Sequence, residues 1–174
     1  MRPCSGCQLC CRLLPVRDVD KPANTRCQHQ RFGKGCAIYA TRPLDCRLWT
    51  CVWALGTGED LTEGLRRPDR VHYVIDPMPD FITMTDNKTG AVHKPEVVQI
   101  WCDERHPDAH RDPALRAYLE RRDLPGLVRY DSKRGVILVP PNRAPSRKWE
   151  EWHHGLSGKE HSAEEVVQTL GVHL

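Results

Sequence analysis

The chain has 174 residues, 39% hydrophobic and 28% charged, with a formal net charge of +3. That composition belongs to a globular domain and excludes wholesale disorder, and so small a charge is no argument for nucleic acid. No apolar run approaches the ~18 residues that cross a bilayer, so no membrane segment is expected, and Met1–Arg2–Pro3–Cys4 offers no apolar stretch of a secretory signal.

In chain order the first feature is the most unusual. Of nine cysteines, eight lie within the first 51 residues: Cys4, Cys7, Cys10, Cys11, Cys27, Cys36, Cys46 and Cys51. With no export signal, the expected compartment is the reducing cytoplasm, where clustered cysteines serve as metal ligands rather than as a disulfide framework. In Cys4-Ser5-Gly6-Cys7-Gln8-Leu9-Cys10-Cys11 the two-residue gaps let thiolates face one centre, and Gly6 permits the tight turn this needs. The spacing is similar to the Cys-x-x-Cys-x-x-Cys run of bacterial ferredoxins, without the Cys-Pro that follows there. Adjacent Cys10 and Cys11 point in different directions. Either one is not a ligand, or the site holds more than one ion.

Cys27 and Cys36 follow, with His29 read as a surface histidine. Pro43 suits the first turn of a helix with Thr41 or Arg42 near its cap, and Leu44, Leu48, Val52 and Leu55 continue as an apolar stripe at helical spacing. Cys46 falls in the first turn, where the helix dipole favours a thiolate. Cys51 lies about 140° further round such a helix and faces elsewhere. Trp49 and Trp53, four apart, are expected to cover the site.

A turn-rich break at 56–60 separates a cysteine-cluster module, 1–56, from an α+β remainder, 57–174, the two forming one compact unit. Short β-like runs come at 71–75, 81–85 and 97–101, with 86–90 as a hairpin connection to 91–93. Cys102-Asp103-Glu104-Arg105-His106 with His110 is the polar cluster of interest. Its plain reading is a core cysteine with loop histidines; a metal or nucleophile site, or Cys102 completing the N-terminal centre, are the alternatives. Asp112 as N-cap and Pro113 open a helix to about Arg122, ended by Leu124–Pro125–Gly126. Runs at 128–130 and 136–139 form a second hairpin, stopped by Pro140–Pro141. The segment 145–154 mixes basic and aromatic residues, but Glu150 and Glu151 weigh against a nucleic-acid contact, and Trp149 and Trp152 read as a pair packed under a helix. Ser162 and Glu165 form a capping box opening a last helix, 163–170, closed by Gly171. The fold class is therefore α+β: a cysteine-rich metal-binding N-terminal module packed on a small, mostly antiparallel sheet with peripheral helices. No hydrolase, zincin, Walker or dinucleotide motif occurs, which leaves open whether the protein is an enzyme.

The first third of the chain resembles the YkgJ-like cysteine-cluster family, described as a zinc- or iron-chelating domain. The matching residues are Cys4, Cys7, Cys10 and Cys11, then Cys27, then Cys36, Ile38, Tyr39, Arg42, Pro43, Cys46 and Arg47. The departure is Gln8, where many relatives carry glycine, and it concerns the local backbone turn. Cys51 and Cys102 lie outside the pattern. The resemblance implies a metal-binding module with seven ligand candidates, Cys4, Cys7, Cys10, Cys11, Cys27, Cys36 and Cys46. It implies no reaction and no protein partner beyond the metal itself.

Thiolate-rich ligation suits zinc or an iron–sulfur cluster and excludes calcium and magnesium. Seven thiolates fit a binuclear zinc site by arithmetic, while the N-terminal spacing fits a [4Fe–4S] cluster. The alternatives are thus structural zinc, an iron–sulfur centre for electron transfer or an enzymatic step, and a chelator or metal carrier. Arg42 and Arg47, with Arg12 and Arg26, are candidates to offset excess thiolate charge from outside the ligand set.

Overall fold

Apolar and aromatic residues dominate 73–81 and 96–102, and in the computed structural model these segments are the two long strands of the molecule. The structure describes residues 2, 6–56, 62–85, 88–131 and 134–154. The expected helix at 163–170 therefore lies outside the described residues, as do Cys4 and parts of the 56–60, 86–90 and 131–135 turns.

The main sheet has five strands: β3 (Tyr73–Phe81), β6 (Glu96–Cys102), β7 (Gly126–Arg129), β8 (Gly135–Val139) and β9 (Glu150–His154), adjacent in that order. Three of its four pairings are antiparallel; β6 and β7 run parallel. The parallel pair needs a crossover. It is supplied by a 3₁₀ turn, Pro107–Arg111, and by helix α5 (Pro113–Arg122). Two small hairpins stand apart, β1 (Gln30–Arg31) with β2 (Gly35–Cys36), and β4 (Met84–Thr85) with β5 (Val92–His93). Short helices α1 (Cys10–Leu13), α2 (Leu44–Leu48), α3 (Val52–Leu55) and α4 (Pro68–Val71) complete the order. The fold is mixed α and β, with a mostly antiparallel sheet and few helices, in agreement with the coarse expectation.

Period-two alternation along β3 and β6 sends side chains to both faces, and both are covered. On one face Tyr73, Ile75, Val98, Ile100 and Cys102 pack with Leu115, Tyr118 and Leu119 of α5 and with Val128, Val136 and Leu138. On the other, Val74 and Trp101 meet Leu9, Leu13, Cys51 and Ala54 of the cysteine-rich segment. Burying each such large aliphatic side chain stabilises by about 1.5–3 kcal/mol. Gly126 marks the closest approach of α5 to the sheet. A Cβ there would stand 2.8 Å from Ile100 Cδ1 and 2.9 Å from Leu119 Cδ1.

Asn24 locks the two halves together. Its N–H donates to Leu13 O, and its Nδ2 donates to Cys102 O (3.2 Å) and to Tyr130 O. Helix α5 begins as expected: Asp112 Oδ1 accepts from Ala114 N (3.0 Å), with Pro113 in the first turn.

Three expectations are corrected. The stripe Leu44–Leu55 is not one helix. The chain is extended at Trp49 and Cys51, separating α2 from α3, and Leu44 and Leu48 are exposed rather than buried. Val71 belongs to α4, not to a strand. The Trp149–Trp152 segment runs into an edge strand rather than lying under a helix. Trp152 packs with Val139 and Ala144, while Trp149 Nε1 donates to Glu120 of α5 (3.0 Å).

Candidate metal centre

The N-terminal loop turns back at Gln8, whose φ is +55°, a left-handed conformation usually given to glycine. Gln8 offsets that strain by its contacts. Its Nε2 donates to Arg31 O (2.8 Å), and its Oε1 accepts from Gln30 Nε2 (3.1 Å). One buried amide thereby fastens the Cys7–Cys11 segment to the β1–β2 hairpin that carries Cys36. A second tie, Cys27 N to Cys11 O (3.0 Å), brings in Cys27. Arg42 Nε donates to Cys46 O (3.1 Å), its Nη1 donates to Tyr39 O, and its guanidinium lies over the Tyr39 ring at 4.0 Å. It braces the backbone of α2 at Cys46.

Lys21 lies within electrostatic reach of Cys10, Cys11, Cys27 and Cys46. It is buried, and its ammonium donates to the carbonyls of Arg12 (3.0 Å), Leu14 and Pro22 (3.2 Å). Among the described residues no carboxylate pairs with it. Burial lowers its pKa, opposed by Cys27, Cys11, Cys10 and Cys46. The hydrogen bond with Cys10, ahead of the field of Lys21 and against burial, brings the Cys11 thiol down to about 7. Burial first, then Cys11, Cys27 and Cys36, push the Cys46 thiol up. Cys11, Cys27 and Cys36 are thus within electrostatic reach of Cys46, and Cys10 is within reach of Cys11. Cys7 packs with Cys10 against the Leu9–Leu13–Trp101 cluster.

The described cysteines form no disulfide with one another, and Cys46 is exposed while Cys7, Cys10, Cys11, Cys27 and Cys36 are half-buried. Cys51 is buried in the apolar cluster against which Cys7 and Cys10 pack, and Cys102 is buried in the main core. Cys102 Sγ contacts His106 O, and burial pushes its thiol up to about 12. Trp49 and Trp53 pack against the same Leu9–Leu13–Trp101 cluster as Cys7 and Cys10. The buried indole N–H groups of Trp49 and Trp101 find no acceptor among the described residues. Of the arginines, Arg47 is exposed, Arg26 donates to Gln30 O, and Arg12 turns away to pair with Asp103 (3.2 Å).

A second group was not evident from sequence. His72, Asp103 and His106 hold ligand atoms within 4.8 Å of one another, the tightest such gathering among the described residues; the cysteine sulfurs are spread more widely. Pairing of Tyr73 with Cys102 places His72 opposite Asp103, whose N–H donates to His72 O (2.9 Å). This trio does not suit a cation. The imidazoles are stacked, centroids 3.6 Å apart and 7° from parallel, so their in-plane lone pairs run side by side instead of converging. Asp103 already accepts from Arg105 and Arg12. Two guanidiniums repel any added cation. His110 is buried, not on a loop surface, and contacts Pro107 O, Tyr130 OH and Glu151.

No family model, curated protein or solved structure gave a match to this chain.

Proposed function

We propose that the protein binds metal through the cysteines of its first third, as zinc or as an iron–sulfur cluster. The observation that carries this reading is Lys21. A buried ammonium whose charged neighbours are thiols, not carboxylates, is neutralised when those thiols are thiolates, the form that ligates metal. Buried indole N–H groups beside Cys7 and Cys10 add donors of the kind that second contacts to thiolate sulfur use. The resemblance to the YkgJ-like family supports the same ligand set: Cys4, Cys7, Cys10, Cys11, Cys27, Cys36 and Cys46. Zinc would supply a structural clamp, and an iron–sulfur cluster would supply redox chemistry. With short helices and a two-stranded hairpin at the site, folding of this half draws on metal binding.

Cys27→Ser and Cys46→Ser each lower the bound metal and the soluble yield, while Cys51→Ser leaves metal content unchanged. Full metal content in the first two variants contradicts the ligand assignment. A carrier role is the second reading, favoured by the exposure of Cys46. A carrier releases its metal to a chelator within minutes of mixing, whereas a structural ion is held until the fold opens.

A further inference from the structure

Away from the cysteines, a cleft of about 550 Å³ opens beside the His72–His106 stack, lined by Arg66, Arg70, Arg105 and Arg111, with Val71 and Ala109 as an apolar wall. Its volume is in the range that holds small molecules (~300–1,000 Å³). Four guanidiniums and two carboxylates, Asp108 and Asp112, border the cleft, and Asp103 and Glu151 pair with Arg105 and Arg111 from outside that lining.

Three of the guanidiniums are pre-positioned. Arg105 is forked onto Asp103, which is itself only 1% exposed. Arg66 is held by Asp112 Oδ2 (3.1 Å), the cap of α5. Arg111 is forked onto Glu151 (2.9 and 2.8 Å), and its Nη1 donates to Asp108 (2.8 Å). Each guanidinium has more N–H donors than its carboxylate occupies. Arg70 is exposed, and no carboxylate pairs with it among the described residues. At the base of the cleft the backbone places His72 in the left-handed region, φ +63°, and this non-glycine conformation presents its ring flat against His106.

We infer that this cleft binds a phosphate-bearing small molecule, its phosphate held by Arg66, Arg70, Arg105 and the imidazole N–H groups, with its organic part against Val71 and Ala109. A single guanidinium fork satisfies a carboxylate, whereas a phosphate offers three terminal oxygens and a second charge to several. The same geometry that excludes a metal cation from His72, Asp103 and His106 favours an anion. Burial and the facing His106 lower the pKa of His72, against Asp103 and Asp69.

The test is calorimetric titration of the full chain, as purified, with inorganic phosphate and with phenyl phosphate, at constant ionic strength, alongside benzoate and a short single-stranded oligonucleotide. The expected result is saturable binding of both phosphates, phenyl phosphate the tighter, benzoate weaker. Arg70→Gln, which breaks no ion pair among the described residues, weakens phenyl phosphate by about tenfold, and the ring signals of His72 and His106 shift on titration in the parent chain. Absence of saturation at ~10 mM phosphate, or equal affinity in Arg70→Gln, overturns the proposal. So does preference for the oligonucleotide over phenyl phosphate. None of these outcomes depends on the metal content of the cysteine segment.

Discussion

Replacing Glu151 by glutamine isolates the ion-pair cluster that ties the edge strand β9 to the crossover segment. The Glu151 carboxylate accepts from Arg111 Nε (2.9 Å) and Nη2 (2.8 Å) and from Arg116 Nη2 (3.3 Å), and it faces His110 Nε2 at 3.4 Å. The hydrogen bonds from Arg111 are the largest cause that brings its pKa from 4.5 to about 2, with burial opposing and His110 adding. At full strength that difference corresponds to about 3 kcal/mol. The Arg111 side chain is 52% exposed, and solvent screening reduces the expected effect to about 1–2 kcal/mol. The folded pKa is depressed, so the stabilisation is complete above the unfolded value near 4.5 and is lost as pH falls towards 2. Urea unfolding of the parent and Glu151→Gln should therefore show a gap of ~1–2 kcal/mol at about pH 7, narrowing through about pH 4 and closing near pH 2. A gap that stays constant with pH, or no gap at neutral pH, refutes the reasoning.

Further outcomes follow from other contacts. Gly126→Ala drives a methyl into the fully buried Ile100 and Leu119 and should cost about 1–3 kcal/mol by overpacking, read as a lower urea midpoint with an unchanged slope. Asp112→Ala removes the cap of α5 together with the acceptor of Arg66 and Tyr73 OH (3.2 Å), for a loss of about 1–3 kcal/mol by thermal unfolding. Cys102→Ser puts a hydroxyl into a fully buried apolar site and should cost about 1–3 kcal/mol. Its metal content, measured by elemental analysis, should equal that of the parent.

Where local chemistry decides the structure, the sequence was readable. The Asp112–Pro113 pair marks the start of α5 because a side-chain acceptor and a fixed φ act on neighbouring residues. The Val128 and Val136 runs pair as a hairpin because their spacing allows little else. Local pattern failed where tertiary contacts decide. The Leu44–Leu55 stripe has helical spacing, yet the chain is broken so that Val52 and Ala54 can pack on the sheet edge while Leu44 and Leu48 stay outside. Strand β9 carries Glu150, Glu151, His153 and His154, residues that hide its alternation; only the burial of Trp152 against Val139 marks it as sheet. The β6–β7 parallel pair was hidden for the same reason, since nothing in 103–125 states which strand the chain returns to.

The candidate site shows the same division. The cysteine spacing and the Ile38–Tyr39 and Arg42–Pro43 residues point to the N-terminal module directly. Lys21, within electrostatic reach of its thiols, gave no signal, because a lone lysine among charged neighbours reads as surface. The His72–His106 stack joins a residue just before β3 to one in the turn after β6, and it becomes visible only with the register that pairs Tyr73 with Cys102. Gln8 lies between. Its φ of +55° is a conformation that suits glycine, and only its side-chain contacts in the folded chain show why glutamine stands there.

The central claim is that the thiols around Lys21 hold metal. It is tested most directly by an absorption spectrum with elemental and acid-labile sulfide analysis of protein purified without oxygen. The account predicts stoichiometric metal: either a colourless protein with one or two zinc ions, or a brown one with iron and sulfide. A folded protein with neither metal, able to take up none on reconstitution, would contradict it.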